Sequence, residues 1–232
     1  SMGEFSITDM TFGIVNTSPS FLGSSDLYLP VSSSSSWDIK NLVRVSDTDA
    51  LQTLTWTVSS APSHGSLVID SATASSGSSN ITPGGSLLYQ PTANYTGNDS
   101  FAVQVSDGID TVTKTINVTV IKKPLITTMA NDYGISGDYI TKETDITFNG
   151  NATANSTIEI FKDEVSMGTT TTSSSGSWSY GVNPITEGTY SFMYSSTLGG
   201  VTVFAESERI VVIDTTAPNT PVITSIDPDT GN

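Results

Sequence analysis

The residues best placed to do chemistry are aspartates at short spacings. Asp47 and Asp49 stand two apart in an expected loop, so both carboxylates can be aimed at one ion, with Asp99 or Asp107 as candidate third ligands. Calcium takes six to eight oxygens, and short acidic loops supply them. The competing reading is an Asx turn, in which the same carboxylates hold nearby backbone N–H groups. A second group comes late in the chain. Asp214 is expected to close a strand, and Asp227 and Asp229 follow thirteen and fifteen residues later. Three carboxylates in one linker repel each other unless a cation sits among them; the alternative is solvated linker acids. Asp132 and Asp138 form a thinner third group near Val120-Ile121-Lys122-Lys123-Pro124. Two lysines cut the negative charge there, so this joint is expected to depend less on calcium than the one after it.

Other chemistry finds few residues to work with. The chain has no cysteine and one histidine, His64. This excludes a disulfide framework, a cysteine zinc site and a multi-histidine centre. His64 lies in an expected turn without visible triad partners, and no Gly-x-Ser-x-Gly elbow, phosphate loop or His-Glu-x-x-His is present. No catalytic residues are expected, and the chain reads as non-enzymatic. A net charge of −15, from 8 basic and 23 acidic residues, repels nucleic acid. There is no apolar run of about 18 residues to insert in a membrane. Trp37, Tyr28, Tyr133 and Tyr139 could stack on a sugar, or serve as core or interface residues. Seven Asn-x-Ser/Thr triplets are present, a number that so Ser/Thr-rich a chain gives by chance. No lysine is visibly paired with a buried acid, as an isopeptide staple would need.

The elements that must position these loops alternate with period two. Leu54, Trp56 and Val58 form one series, and Phe101, Val103 and Val105 another. Ile116, Val118 and Val120 follow, then Tyr190, Phe192 and Tyr194, Val201 and Val203, and Ile210 to Ile213. Turn clusters such as Ser76-Gly77-Ser78, Pro83-Gly84-Gly85 and Ser174-Ser175-Gly176 separate them. Short strands broken by such turns every ~8–12 residues predict all-β sandwiches. The one ambiguous helical stretch is Trp37–Val45. Pro124–Gly134 recurs as Pro221–Gly231, an offset of 97 residues, the size of one sandwich. The organisation expected is a domain over 1–122, a second over 123–219, and the start of a further repeat over 220–232. Ser1-Met2-Gly3-Glu4-Phe5 reads as a cloning remnant, so the chain is expected to be a piece of a longer repeat protein.

Two resemblances sharpen this. Residues 42–120 resemble the cadherin-like repeats of giant bacterial adhesins. The landmarks are Ser46-Asp47-Thr48-Asp49, Leu54-Thr55-Trp56-Thr57-Val58, Ala61-Pro62-Ser63-His64-Gly65, Tyr89-Gln90-Pro91 through Asp99-Ser100-Phe101, and Val105-Ser106-Asp107-Gly108. Residues 124–221 resemble the bacterial immunoglobulin-like repeats of RTX-type and biofilm-associated adhesins. That match rests on Ser136-Gly137-Asp138-Tyr139, Gly150-Asn151-Ala152, Gly176-Ser177-Trp178, Glu187-Gly188-Thr189-Tyr190 and Ile213-Asp214-Thr215-Thr216-Ala217-Pro218. The first ~40 residues resemble no family. The resemblance implies two tandem Greek-key β-sandwiches, secreted or displayed at the cell surface. It also implies calcium on Asp47, Asp49 and Asp107 facing the preceding module, with Asn16 the best ligand that the incoming linker offers. The expected role is a monomeric extender segment of an adhesin whose partners are the neighbouring repeats. The alternatives are a module binding a host or matrix glycan or protein, and an accessory module of a polysaccharide-active enzyme.

Overall fold

The computed structural model describes residues 15–32, 34–222 and 224. The chain forms two compact units, the first running to Lys122 and the second from Lys123 onward apart from Gly199–Val201, which group with the first, and each is a β-sandwich with its own apolar core.

The first unit has eleven strands: β1 (Ser20–Phe21), β2 (Asp26–Pro30), β3 (Trp37–Asp38), β4 (Val45–Asp47), β5 (Thr53–Ser60), β6 (Gly65–Asp70), β7 (Thr73–Ser75), β8 (Ser78–Ile81), β9 (Ser86–Pro91), β10 (Gly97–Ser106) and β11 (Thr111–Ile121). They form sheets ordered β2-β11-β10-β5-β7, β1-β4-β8 and β3-β9-β6. The period-two series lie where the alternation requires, because successive side chains of a strand point to opposite faces. Leu54, Trp56, Phe101, Val103, Val105, Ile116, Val118 and Val120 are all buried. Val58 departs from its series: the pairing of β5 with β10 shifts between Ala102 and Val103, and Val58 is exposed. The ambiguous stretch Trp37–Val45 is no helix. It holds β3, a single 3-10 turn at Lys40–Leu42, and the start of β4.

Residues 15–30, for which the sequence alone suggests no family, are integral to the sandwich. β1 pairs antiparallel with β4 in one sheet and β2 pairs parallel with β11 in another, so the entering chain crosses between layers. Lys114 fixes that crossing, its Nζ donating to the carbonyls of Gly23 and Leu42. Burial lowers the pKa of this lysine.

The second unit has nine strands: β12 (Leu125–Ala130), β13 (Ile140–Thr141), β14 (Ile146–Asn151), β15 (Thr157–Lys162), β16 (Val165–Thr171), β17 (Ser177–Val182), β18 (Gly188–Leu198), β19 (Val201–Phe204) and β20 (Arg209–Ile213). Sheet β12-β14-β17 packs on β13-β20-β18-β15-β16, with β19 also paired to β18. The same crossing recurs: β12 is antiparallel to β14, and β13 is parallel to β20. Trp178 fills the core, tilted against Tyr194 with ring centroids 6.0 Å apart. Gly150 makes room for it, since a methyl group there would run into the indole ring and the Leu125 carbonyl.

Of the aromatics considered for stacking, Tyr139 is buried, Trp37 and Tyr28 are half-buried, and only Tyr133 is largely exposed. Trp37 packs against the first core. Among the described residues no helix is long and apolar enough to cross a membrane.

Candidate functional site

The register of β10 with β11 fixes which acids share an end of the first unit. Gly97 pairs with Val120 and Ser106 with Thr111, so Asp99 lies where the chain leaves and Asp107 where it enters. Eight residues of strand span roughly 26 Å, which removes Asp99 from any site containing Asp107.

Asp107 instead joins Asp47, Asp49 and a residue not singled out in the sequence, Asp110, and the entering segment 15–18 is laced onto Asp49, Asp107 and Asp110. The Asn16 side-chain amide donates to Asp107 Oδ2 at 3.0 Å and to Asp110 Oδ2 at 2.8 Å. The Thr17 N–H donates to Asp49 Oδ2 at 2.5 Å, and Ser18 Oγ to Asp110 Oδ2 at 2.6 Å. Gln52 Nε2 donates to Asn16 Oδ1 at 2.6 Å. Within the loops, Asp107 Oδ1 accepts the N–H groups of Ile109 and Asp110 at 2.8 and 2.7 Å. Asp47 Oδ1 accepts the Asp49 N–H at 3.1 Å. The Asx-turn reading therefore holds for both loops.

It leaves one atom over. Asp47 is 1% exposed, and its Oδ2 is buried with no hydrogen-bond partner; Gln52 Oε1 is likewise buried and unpartnered. Buried polar groups are nearly always satisfied, so each exception needs a cause. Burial raises the Asp47 pKa, the Asp49 N–H opposes, and the charges of Asp107 and Asp49 add to the rise. Asp107 goes the other way: burial pushes it up, but N–H donation from Asp110, Ile109 and Asn16 outweighs burial and holds it down. Among the described residues no three His, Asp or Glu side chains converge into a ready-made metal site. The polar donors of segment 15–18 occupy the oxygens that a cation would need.

Asp99 belongs to a different structure. It is 8% exposed and accepts the backbone N–H groups of Ser63 and His64 at 2.9 and 3.1 Å and the Tyr89 hydroxyl at 2.8 Å. The sequence neighbours Ser63 and His64 thus meet a carboxylate, but through their backbone. The imidazole lies flat on Tyr95 with centroids 4.2 Å apart. This is a loop anchor, without the imidazole–carboxylate contact that a relay requires.

In the second unit the placement corrects one expectation. Their nearness in sequence to Lys123 places Asp132 and Asp138 at the joint there. Asn131, however, is level with the far end: its carbonyl accepts Thr141 Oγ1 and its side chain donates to the Asp145 carbonyl. Thr141 pairs with Ile213, where the chain leaves, so β12 has already carried the chain away from Lys123. Asp132 Oδ2 accepts the Gly137 N–H at 2.7 Å while its Oδ1 is buried and unpartnered. Asp138 Oδ1 accepts the Ile140 N–H. Asp214 Oδ1 accepts the Thr216 N–H at 3.1 Å, an Asx turn at the exit. Asp227 and Asp229 lie outside the described residues. Sequence reading missed Glu187, whose carboxylate accepts the hydroxyls of Thr215 and Thr216. Those two bonds hold its pKa below the ordinary value.

Comparison with known proteins agrees with the architecture. Residues 16–119 match the family described as Bacterial Ig domain, and residues 119–215 the family described as Bacterial Ig-like domain. Each match covers one of the two units, so the chain is a tandem of two bacterial immunoglobulin-like modules. The first match begins at Asn16, the residue that ties the entering segment to the acidic loops. No curated protein matches the chain. Among solved structures, the BSP domain of a biofilm associated protein is similar at 15% identity and TM-score 0.32, over 83% of this chain and 29% of that one. The D0-D1 domain of Intimin is similar at 14% identity and TM-score 0.28, over 80% of this chain and 94% of that one. An endo-fucoidan hydrolase of glycoside hydrolase family 107 is similar at 19% identity and TM-score 0.30, over 86% of this chain and 29% of that one. The chain spans under a third of the length of the first and the last of these structures.

Proposed function

We propose that this tandem is an extender segment of a secreted, cell-surface bacterial adhesin, in which calcium stiffens the end of a module where a neighbour joins it. The observation that carries the reading is the buried, unpartnered Asp47 Oδ2 in the same cluster as Asp49 and Asp107, to both of which the entering segment is tied. A carboxylate oxygen removed from water without a donor is costly, and a cation is the partner that offsets this cost. Asp47, Asp49 and Asp107 would hold the ion, with Asp110 and Gln52 Oε1 in reach of the same loops. Binding would displace the Asn16 amide from Asp107, exchanging a neutral donor for a divalent charge. Because this end faces whatever precedes residue 15, the ion would fix the incoming module. At the other end of the chain, Asp132, Asp138 and Asp214 are the corresponding candidates.

Extracellular calcium modules bind with Kd of about 10⁻⁴–10⁻³ M. At about ten times Kd, mass action adds roughly 1.4 kcal/mol per site. That is modest for folding but enough to decide between a rod and a loose string. The test is denaturant unfolding of the whole chain in millimolar calcium and in chelator, followed by small-angle scattering with a further module joined before residue 15. A calcium-dependent rise in stability and a longer particle are expected. Identical curves with and without the ion would remove calcium from the reading.

A further inference from the structure

The second unit holds a cationic feature that its overall acidity hides. Arg209 opens β20 opposite Phe192, two and four residues before the buried Val211 and Ile213, so its side chain is directed to the interior face. The guanidinium lies 4.4 Å from the ring centroid of Tyr139, itself 7% exposed, and the buried Nε has no hydrogen-bond partner. Arg209 forms neither of the unit's ion pairs among the described residues. Arg209 is half-buried, and a buried guanidinium Nε without an acceptor is unusual, because buried polar atoms are nearly always satisfied.

Arg209 also lines a cavity of about 240 Å³ between the segment Lys123–Leu125 and the corner Glu206–Ser207, with Tyr194 at its back. The groups around it are weighted toward donors. Tyr194 Oη accepts the Ile126 N–H at 3.2 Å, which leaves its own proton for another acceptor. Lys123 is paired only with Glu206, at 3.5 Å, and the Glu206 side chain is 85% exposed. Such an exposed pair is weak and easily exchanged. Pro124 and Leu125 supply an apolar wall. The volume lies below the ~300–1,000 Å³ of pockets for drug-sized ligands, so it suits one ring and not an extended chain.

We propose that this cavity is a subsite for a single acidic sugar residue. An oxyanion on the sugar, a carboxylate or a sulfate ester, is held by Arg209 and Lys123, and the ring lies against Pro124 and Leu125. This goes beyond a spacer role, because it gives one module of the tandem its own ligand chemistry. The experiment is titration of the whole ¹⁵N-labelled chain with glucuronate, glucose 6-sulfate, glucose and inorganic sulfate, read by amide shifts. Shifts confined to residues 123–126, 194 and 206–209 are expected with one or both acidic sugars, and little with glucose. A preference between the two identifies carboxylate or sulfate ester as the group recognised. Arg209→Gln and Lys123→Gln are each expected to weaken binding about tenfold or more, the loss of one charge-assisted hydrogen bond. Lys123 is half-exposed, so its variant stays folded even if the Arg209 variant does not. Glu206→Gln is expected to tighten binding severalfold, because it frees Lys123 and removes a repelling charge; a merely structural cluster would not respond so. Scattered or absent shifts, glucose binding equal to that of the acidic sugars, sulfate bound as tightly as they are, or an unchanged affinity in Lys123→Gln would each overturn the proposal.

Discussion

The two modules solve one topological problem with different buried chemistry. Both let the entering chain cross between sheets, first antiparallel in one layer and then parallel in the other. Among the described residues the first module buries three whole carboxylate residues, Asp47, Asp99 and Asp107, whereas the polar residues buried whole in the second carry hydroxyls: Thr141, Ser156, Thr172, Ser195 and Ser196. The hydroxyls close on themselves: Ser196 Oγ donates to Ser156 Oγ at 2.8 Å, and Ser156 Oγ and Thr172 Oγ1 both donate to the Thr153 carbonyl. A hydroxyl is donor and acceptor at once and can be satisfied within the protein. A carboxylate only accepts, so it draws in N–H groups from loops and from the entering segment. The stronger dependence on pH and cations is therefore expected in the first module, and a weaker one in the second, where Asp132 is half-buried and Asp138 and Asp214 are exposed.

The largest break in that contrast should come from Asp99. Asp99→Ala strands the Ser63 and His64 N–H groups and the Tyr89 hydroxyl at once. Hydrogen bonds to a buried charge are worth about 1.5–3 kcal/mol each, and they are not additive within one network. A loss of about 3–5 kcal/mol is expected for the first module in denaturant unfolding. The transition reported by Trp178 should be unmoved. A joint shift of both transitions would mean that the modules do not unfold as separate units.

Asp47→Asn should act in the opposite sense. It removes a buried charge whose Oδ2 has no partner while keeping the Oδ1 that accepts the Asp49 N–H. In chelator the variant is expected to be more stable, because a buried charge with a raised pKa is removed. In calcium it should gain nothing further. A variant that is less stable in chelator and still gains from calcium would show that Asp47 is no ligand.

Much of this was legible in the residue order, and what was missed has physical causes. Period-two runs placed the core strands because alternation is a local property. Trp37–Val45 misled because Trp37, Ile39, Leu42, Val43 and Val45 serve two strands and a turn in succession, with spacings that imitate a helix. The cluster at the entrance was half visible. Asp47, Asp49 and Asp107 announced themselves as loop acids. Asp110 and Gln52 did not, because only the pairing of β10 with β11 and of β5 with its neighbours brings them to Asn16. Asp132 and Asp138 were put at the wrong end since proximity in sequence to Lys123 ignores the length of β12. Arg209 was not singled out; its place two residues before Val211 in one strand puts both on one face, but its stacking on Tyr139 needs the fold.

The finer contrast lies in acid. Asp47 has a raised pKa and Asp107 a lowered one, so their contributions to stability have opposite signs. A raised carboxylate takes up a proton more readily when folded, so the first module gains stability as pH falls toward the usual range near 4. A lowered carboxylate stabilises above that range, and its contribution is lost as pH falls through and below it. Stability of the first module in chelator should thus pass through a maximum in mild acid. Asp47→Asn should abolish the rise and keep the fall, and calcium should suppress the rise by holding Asp47 charged. In the second module Glu187 has a lowered pKa but is exposed, bonding only the exit residues Thr215 and Thr216. Glu187→Gln should leave its unfolding transition unmoved and speed amide exchange at the exit segment. A maximum that survives Asp47→Asn would assign it to another carboxylate and dissolve the contrast between the modules.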